Sequence, residues 1–358
     1  MSDKLTRVVF PYLKDIDLLV LAGDMTDTEL SLASLEAQHV IEFFIRLYQE
    51  CEKNDVDICL LRGTVSHDRD HLRILKSLHA TYKFKNKLHY HETIGLTEIT
   101  HLGLKIGFLP DNLPYKTSNE AIAVLKELMH KKGWDMLDYV VFHGYAKHVL
   151  PTGMDHADTI FDIEQFDFVK RAVMAGHVHT PSLKSHRFSN DHELHFFYNS
   201  SFERLAHGEE EDKGFMLVTE DGDDTEFKFV KNPYATGFFT FDLYAYDKSE
   251  DIFRIFEEKM SKINTSLPVH VRVLHPQSEI RSSLARHVLK TYPHVKFTSK
   301  SKKIKKRDIE DTSHPSSDTF KTLIAPSKDT LPIMIHDFLK DKNITLDITE
   351  IESMLRDT

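Results

Sequence analysis

Four short apolar runs, each closed by residues of the kind that ligate metals, constrain this chain more than any other feature. DIDLLVLAG (15–23) gives way to Asp24, and VDICLLRG (56–63) to Thr64-Val65-Ser66-His67-Asp68. LDYVVFHG (137–144) closes on His143, and KRAVMAGHVH (170–179) on Gly176-His177-Val178-His179. Apolar runs of this length bounded by glycine read as buried strands. Between them lie stretches with apolar residues at helical spacing: Glu29 to Cys51 (Leu32, Leu35, Ile41, Phe44, Ile45, Tyr48), 71–82 and 119–132. Strands alternating with helices predict a largely parallel sheet with helices packed on it. In such sheets ligands gather just beyond the carboxyl ends of the strands.

Consecutive strands follow. Residues 97–110 read as two strands joined at His101–Gly103, and 181–188, 193–201 and 214–220 as three more. The expected fold class is α/β, a sandwich of mixed β-sheets flanked by helices over 1–232. The opening MSDKLTRVVFPYLK reads as a helix. From 233 to 307 the pattern becomes a small β-α-β-α-β module, with strands at 238–247, 267–275 and 294–299 and helices through 252–263 and 280–292.

Charge separates these regions. The chain has 46 Lys+Arg against 56 Asp+Glu, a formal net charge of −10, which excludes a uniformly basic nucleic-acid coat. Locally the balance reverses: 231–307 holds 16 basic and 7 acidic residues and ends in Lys300, Lys302, Lys303, Lys305, Lys306 and Arg307. Such a run is either a solvated linker or a surface for phosphate backbones, which release counterions when neutralised. Residues 308–329 read as a flexible linker. The tail, 330–358, turns apolar again at helical spacing (Ile333, Ile335, Phe338, Leu339, then Ile348, Ile351, Leu355). Two short amphipathic helices have little of their own to bury against, which points to docking on a partner. Cys51 and Cys59 lie in runs that read as buried, so a reducing cytoplasm is the expected setting and no disulfide framework is. No run approaches the ~20 apolar residues of a membrane span, and no secretion signal opens the chain.

Taken singly, the four strand ends also have plain structural readings. Asp24 suits a helix N-cap, His67-Asp68 a polar loop, and His143 a satisfied buried histidine. His177 and His179, two apart in an extended segment, are expected to point the same way, and imidazole is a common ligand for divalent transition metals. Together they supply a carboxylate able to bridge two cations, neutral nitrogen ligands, and a further histidine near a leaving group, the needs of a two-metal hydrolase.

That order, G-D-x-x-D, then His-Asp, a lone His, and G-H-x-H, resembles the calcineurin-like metallophosphoesterase superfamily, whose pattern runs D-x-H, G-D-x-x-D, G-N-H-D/E, H, G-H-x-H. Within it the chain is most similar to the SbcD-type DNA repair nuclease, particularly its bacteriophage versions, in the first 230 residues, the small cap module and the tail helices. The resemblance implies that Asp24 is shared by two divalent metals, manganese by family preference. It makes His143 and His177 ligands of the second metal and His179 a ligand of the first. It implies that His67 contacts the scissile phosphate, with Asp68 as its orienting partner. It makes the basic module a DNA-binding cap, places the SbcC-type ATPase on the tail, and implies a homodimer in the cytoplasm, the host's if the gene is phage-borne.

Two departures stand out. No Asp is followed two residues later by His, so D-x-H is missing, and the expectation is a chain that begins one strand late with a weak or empty first metal site. Ser66 stands where the superfamily has Asn, and is expected as a second-metal contact. The leading expectation is a DNA exonuclease and single-strand endonuclease. The alternatives are a catalytically impaired DNA- and ATPase-binding subunit, and another phosphatase of the superfamily.

Overall fold

Strands buried on both faces need continuous apolar runs, and the runs above become the central strands. The computed structural model describes residues 2–27, 30–31, 34–68, 70–111, 114–150, 160–222 and 224–301. β1 (Leu18–Leu21), β2 (Asp57–Leu61) and β3 (Leu88–His91) form a parallel three-stranded sheet in that order. A six-stranded mixed sheet contains β4 (Gly95–Ile99), β5 (Leu104–Leu109), β6 (Leu137–His143), β7 (Val169–Gly176), β8 (Ser182–Arg187) and β9 (Glu193–Tyr198). Its order is β4-β5-β6-β7-β9-β8, parallel in the middle with antiparallel edges. A hairpin of β10 (Gly214–Asp221) and β11 (Asp224–Lys231) follows.

Side chains alternate across a strand, so β1 and β2 serve two cores at once. Leu18, Val20, Cys59 and Leu61 meet Ile106, Phe108, Tyr139, Val141, Ala172 and Phe197 of the six-stranded sheet, with Met216, Val218 and Phe227 of the hairpin alongside. Leu19, Leu21 and Ile58 face the other way, onto Phe44, Leu47, Tyr48 and Cys51 of α2 (Leu35–Lys53) and Leu72 and Leu75 of α3 (Asp70–Tyr82). The outer face of the larger sheet takes α4 (Ser118–Lys132), through Ala121, Ile122, Leu125 and Met129. At the chain start, α1 (Ser2–Val8) ties in through Lys4, which pairs with the buried Glu203 and donates to Thr236 at 3.0 Å.

The module has a sheet of its own, parallel and in the order β12 (Gly237–Asp242), β13 (Val269–Leu274), β14 (Val295–Lys300). Its helices α5 (Ser249–Met260) and α6 (Ser278–Thr291) cover it through Ile252, Phe256, Leu284 and Val288. The described residues thus make a mixed α/β fold with six α-helices. None of these helices is long and apolar enough to cross a membrane.

Several expected boundaries move. α2 starts at Leu35 rather than Glu29, because the Ser34 hydroxyl accepts the Ala37 amide at 3.1 Å and caps it there. β3 and β11 join the sheets although no strand was expected at either; β3 is short and only half-buried, which weakens its pattern. β7 stops at Gly176, so His177 and His179 do not share an extended strand. The linker, the tail residues Ile333, Ile335, Phe338, Leu339, Ile351 and Leu355, and the basic residues Lys302, Lys303, Lys305, Lys306 and Arg307 lie outside the described residues.

Candidate metal centre

The ends of β1, β2 and β7 meet where three glycines leave no side chain in the way. Gly23 takes φ +87°, and a Cβ there would strike the His143 ring and the Gly63 backbone. A Cβ on Gly63 would strike the amide and carboxylate of Asp24, and one on Gly176 the Ala22 carbonyl. The left-handed turn continues through Asp24 at φ +53°, a conformation that Asp tolerates better than most residues.

Asp68 locks two of these turns together. It is fully buried. Its Oδ2 accepts the amides of Asp24 at 2.6 Å and Gly63 at 2.9 Å, and its Oδ1 accepts that of Met25 at 2.9 Å. Burial and the nearby Asp24 charge raise its pKa against the pull of these amides. Asp68, expected as the orienting partner of His67, is placed by the structure with both oxygens accepting backbone amides of the two loops. The carboxylate beside His67 belongs to Asp24, with Nδ1 3.4 Å from Oδ2.

Asp24 Oδ2 is the meeting point. His143 Nε2 lies 3.2 Å from it and the Thr64 hydroxyl 3.4 Å, while Oδ1 accepts the Thr64 amide at 2.7 Å. His143 ends β6 and is 1 % exposed. Its Nδ1 donates to the Ala22 carbonyl at 2.6 Å, which leaves Nε2 facing the site. His177 Nδ1 stands 3.3 Å from His143 Nε2 and 3.3 Å from the Thr64 hydroxyl. It is placed there by φ +88° just past Gly176, a strained backbone for a side chain of its size. Tyr145 packs edge-on against its ring, 4.3 Å between centroids.

Ligand atoms of Asp24, His143 and His177 all lie within 4.8 Å of one another. One carboxylate and two imidazoles suit a divalent transition metal with bonds of ~2.0–2.2 Å. Without an ion the three behave as an ion pair with a neutral neighbour. Burial opposes charge on both Asp24 and His143, but their mutual hydrogen bond and attraction win, lowering the Asp24 pKa and raising that of His143. His177 goes the other way, lowered by burial and by the charge of His143.

The hydroxyl in the centre is that of Thr64, and Ser66, exposed two residues further along, is not part of it. Thr64 was the residue missed: it directly follows Gly63 and stays over the strand end while the loop turns Ser66 outward. Asp111 was missed too. It lies two residues past β5, and its charge favours the protonated forms of His143 and His177. His179 is not part of the Asp24–His143–His177 group, and its Nδ1 pairs with Glu209 Oε1 at 3.0 Å. Buried Lys213 holds that Glu209 at 3.1 Å and donates to the His179 carbonyl at 2.9 Å. Lys300 is exposed at the end of β14. Comparison with models of known protein families and with curated proteins finds no match to this chain.

Proposed function

We propose that this chain is a metal-dependent phosphodiesterase of the calcineurin-like metallophosphoesterase superfamily, with its helix-flanked mixed sheets as that superfamily's sandwich. The reading makes it the nuclease subunit of an SbcC–SbcD-like complex, a 3′-to-5′ exonuclease and single-strand endonuclease that works as a homodimer with an ATPase partner. The observation that carries it is the convergence of Asp24, His143 and His177, 119 and 34 positions apart in sequence, on one point at the ends of β1, β6 and β7. The donor set fits a divalent ion, since His143 turns Nε2 into the site and Asp24 offers an oxygen that both His143 and His67 approach. Manganese is the proposed ion, with a second, weaker position beside Asp24 that draws on His179.

A bound divalent cation supplies Lewis-acid stabilisation of charge on the phosphate oxygens. The chain's own groups do the rest. Asp68 fixes both turns, so Asp24 meets its partners without reorganising. The Ala22 carbonyl fixes the His143 tautomer. His67, half-exposed beside Asp24, is placed to hold a phosphate oxygen or to protonate a leaving group. Glu209 does for His179 what Ala22 does for His143, leaving its Nε2 bare. Lys300 with the basic run after it, and the tail helices, are the proposed contacts for DNA and ATPase.

A second reading, a catalytically impaired subunit that binds DNA and the ATPase, is favoured by the ligand group itself, which among the described residues is a single set of three donors, Asp24, His143 and His177. Manganese-dependent digestion of linear duplex and single-stranded DNA separates the two. Digestion that a chelator stops and His143→Ala abolishes is the expected result. Salt-sensitive DNA binding without cleavage at any manganese concentration selects the impaired subunit, and faster turnover of a nucleotide monoester than of DNA points to another phosphatase.

A further inference from the structure

Parallel sheets are normally covered on both faces. The module's sheet buries Val271, Val273 and Phe297 under α5 and α6, and alternation along each strand turns a different set the other way. On that second face the register sets Thr240 beside Arg272, His270 beside Lys296, and Lys300 beside Leu274, two positions on from Arg272. His207, from the segment between β9 and β10, reaches the same face. Its Nδ1 lies 3.3 Å from the Thr240 hydroxyl, and its ring packs edge-on against Phe238, 5.2 Å between centroids. The acid that the register places there, Asp242, closes β12 at the exposed end and accepts the Tyr244 amide at 3.1 Å.

Arg272 is the anomaly on this face. It is half-buried, and its Nε is buried with no hydrogen-bond partner among the described residues. No ion pair among those residues involves Arg272, His270, Lys296 or Lys300. Burial, and then the charges of Arg272, His270 and Lys300, lower the His207 pKa, which places the four groups within reach of one another's fields. Buried guanidinium N–H groups are ordinarily paired, and like charges gathered on one face repel unless an anion lies between them. A carboxylate offers its oxygens in one plane. Here a guanidinium fork, an ammonium and imidazoles approach from different strands and a loop, which matches the several oxygens of a phosphate better.

We propose that Arg272, with His207, His270 and Lys300 around it, binds a phosphate group on the open face of the module's sheet. The phosphate belongs either to a nucleic-acid backbone or to a small phosphate-bearing ligand. The site needs none of the residues around Asp24, so it stands apart from the phosphodiesterase reading.

The test uses the full-length chain in EDTA, which keeps the metal centre out of every readout, with inorganic phosphate and a single-stranded oligonucleotide as separate probes. Phosphate is expected to raise the melting temperature above that in chloride of equal ionic strength, and Arg272→Gln to abolish the rise. The same variant should weaken oligonucleotide binding about tenfold and reduce its salt slope by about 1. In chloride alone Arg272→Gln should not lower the melting temperature, since the empty site leaves Nε unpaired. Should that variant fail to fold, Lys300→Gln, at an exposed strand end, reads both probes in its place. Sensitivity of the oligonucleotide, with or without that of phosphate, assigns the site to a nucleic-acid backbone, and sensitivity of phosphate alone assigns it to a small ligand. Responses to both probes that Arg272→Gln and Lys300→Gln leave unaltered overturn the proposal.

Discussion

Two buried histidines close two apolar strands of this chain, one in each parallel sheet region, and they do opposite things. His143 ends LDYVVFH in the larger sheet and His275 follows LPVHVRVL in the small module, and both are 1 % exposed. His275 spends both ring nitrogens locally, accepting the Gln277 amide at 3.2 Å and reaching the Tyr246 carbonyl at 3.1 Å. His143 spends one on Ala22 and turns the other toward a carboxylate and a second imidazole. Burial and position are the same; the leftover nitrogen is the difference. A histidine becomes a ligand candidate when the backbone satisfies half of it and no more.

The sharpest way to break this contrast is to remove each ring. His143→Ala is expected to lower manganese-dependent hydrolysis roughly a thousandfold, the several kcal/mol a catalytic metal supplies. His275→Ala should leave activity intact and cost about 1–3 kcal/mol of stability, as orphaned backbone groups do. Paired activity and urea-denaturation measurements check both, and an exchange of the two phenotypes would end the comparison. Next in size, Asp68→Ala strands three amides and should cost about 3 kcal/mol, with metal affinity falling alongside because both turns loosen; denaturation and a manganese titration read the two effects.

A third kind of histidine, half-buried, sharpens the contrast through pH. His91, stacked on Phe108 with Nε2 2.8 Å from the Thr97 hydroxyl, is held by burial and the nearby His89 and Lys76 charges at a pKa of about 4, and burial puts His148 at about 4 as well. Folded values below the unfolded 6.5 mean that the unfolded chain binds more protons between those limits. Their stabilising effect is therefore complete above pH 6.5 and is lost as the pH falls toward 4. Denaturation at pH 7 and pH 4.5 should differ by about 2 kcal/mol for His91 alone, and His91→Phe should flatten that slope. The smallest effect tests the hydroxyl: Thr64→Val should weaken manganese binding about tenfold, near the ~1.4 kcal/mol of one lost contact, and Ser66→Ala should change nothing measurable in the same titration.

The strand ends were readable because each is an apolar run that stops abruptly, and the module because its five elements alternate cleanly over 237–300. What could not be read was which way a side chain turns once a strand has ended. Ser66 and Thr64 look equivalent in RGTVSHD, and only the loop's winding puts one inside and the other in solvent. His177 and His179 look like a matched pair until the strand stops at Gly176 and positive φ sends His177 inward. The partners of Asp68 and His179 are amides and a carboxylate 5 to 44 positions away, a distance that local pattern does not span.

Gly63 and Gly176 carry a consequence for how this centre tolerates change. Neither needs a left-handed backbone, so alanine is conformationally acceptable at both and is ordinarily the safer residue inside a strand or at its edge. Yet a single methyl group at either position would wedge two loops apart, against Asp24 at one and against the Ala22 carbonyl that steadies His143 at the other. The mouth of the centre is gauged by carbon that is missing, and substitutions judged mild by every propensity scale are the ones it is least able to absorb.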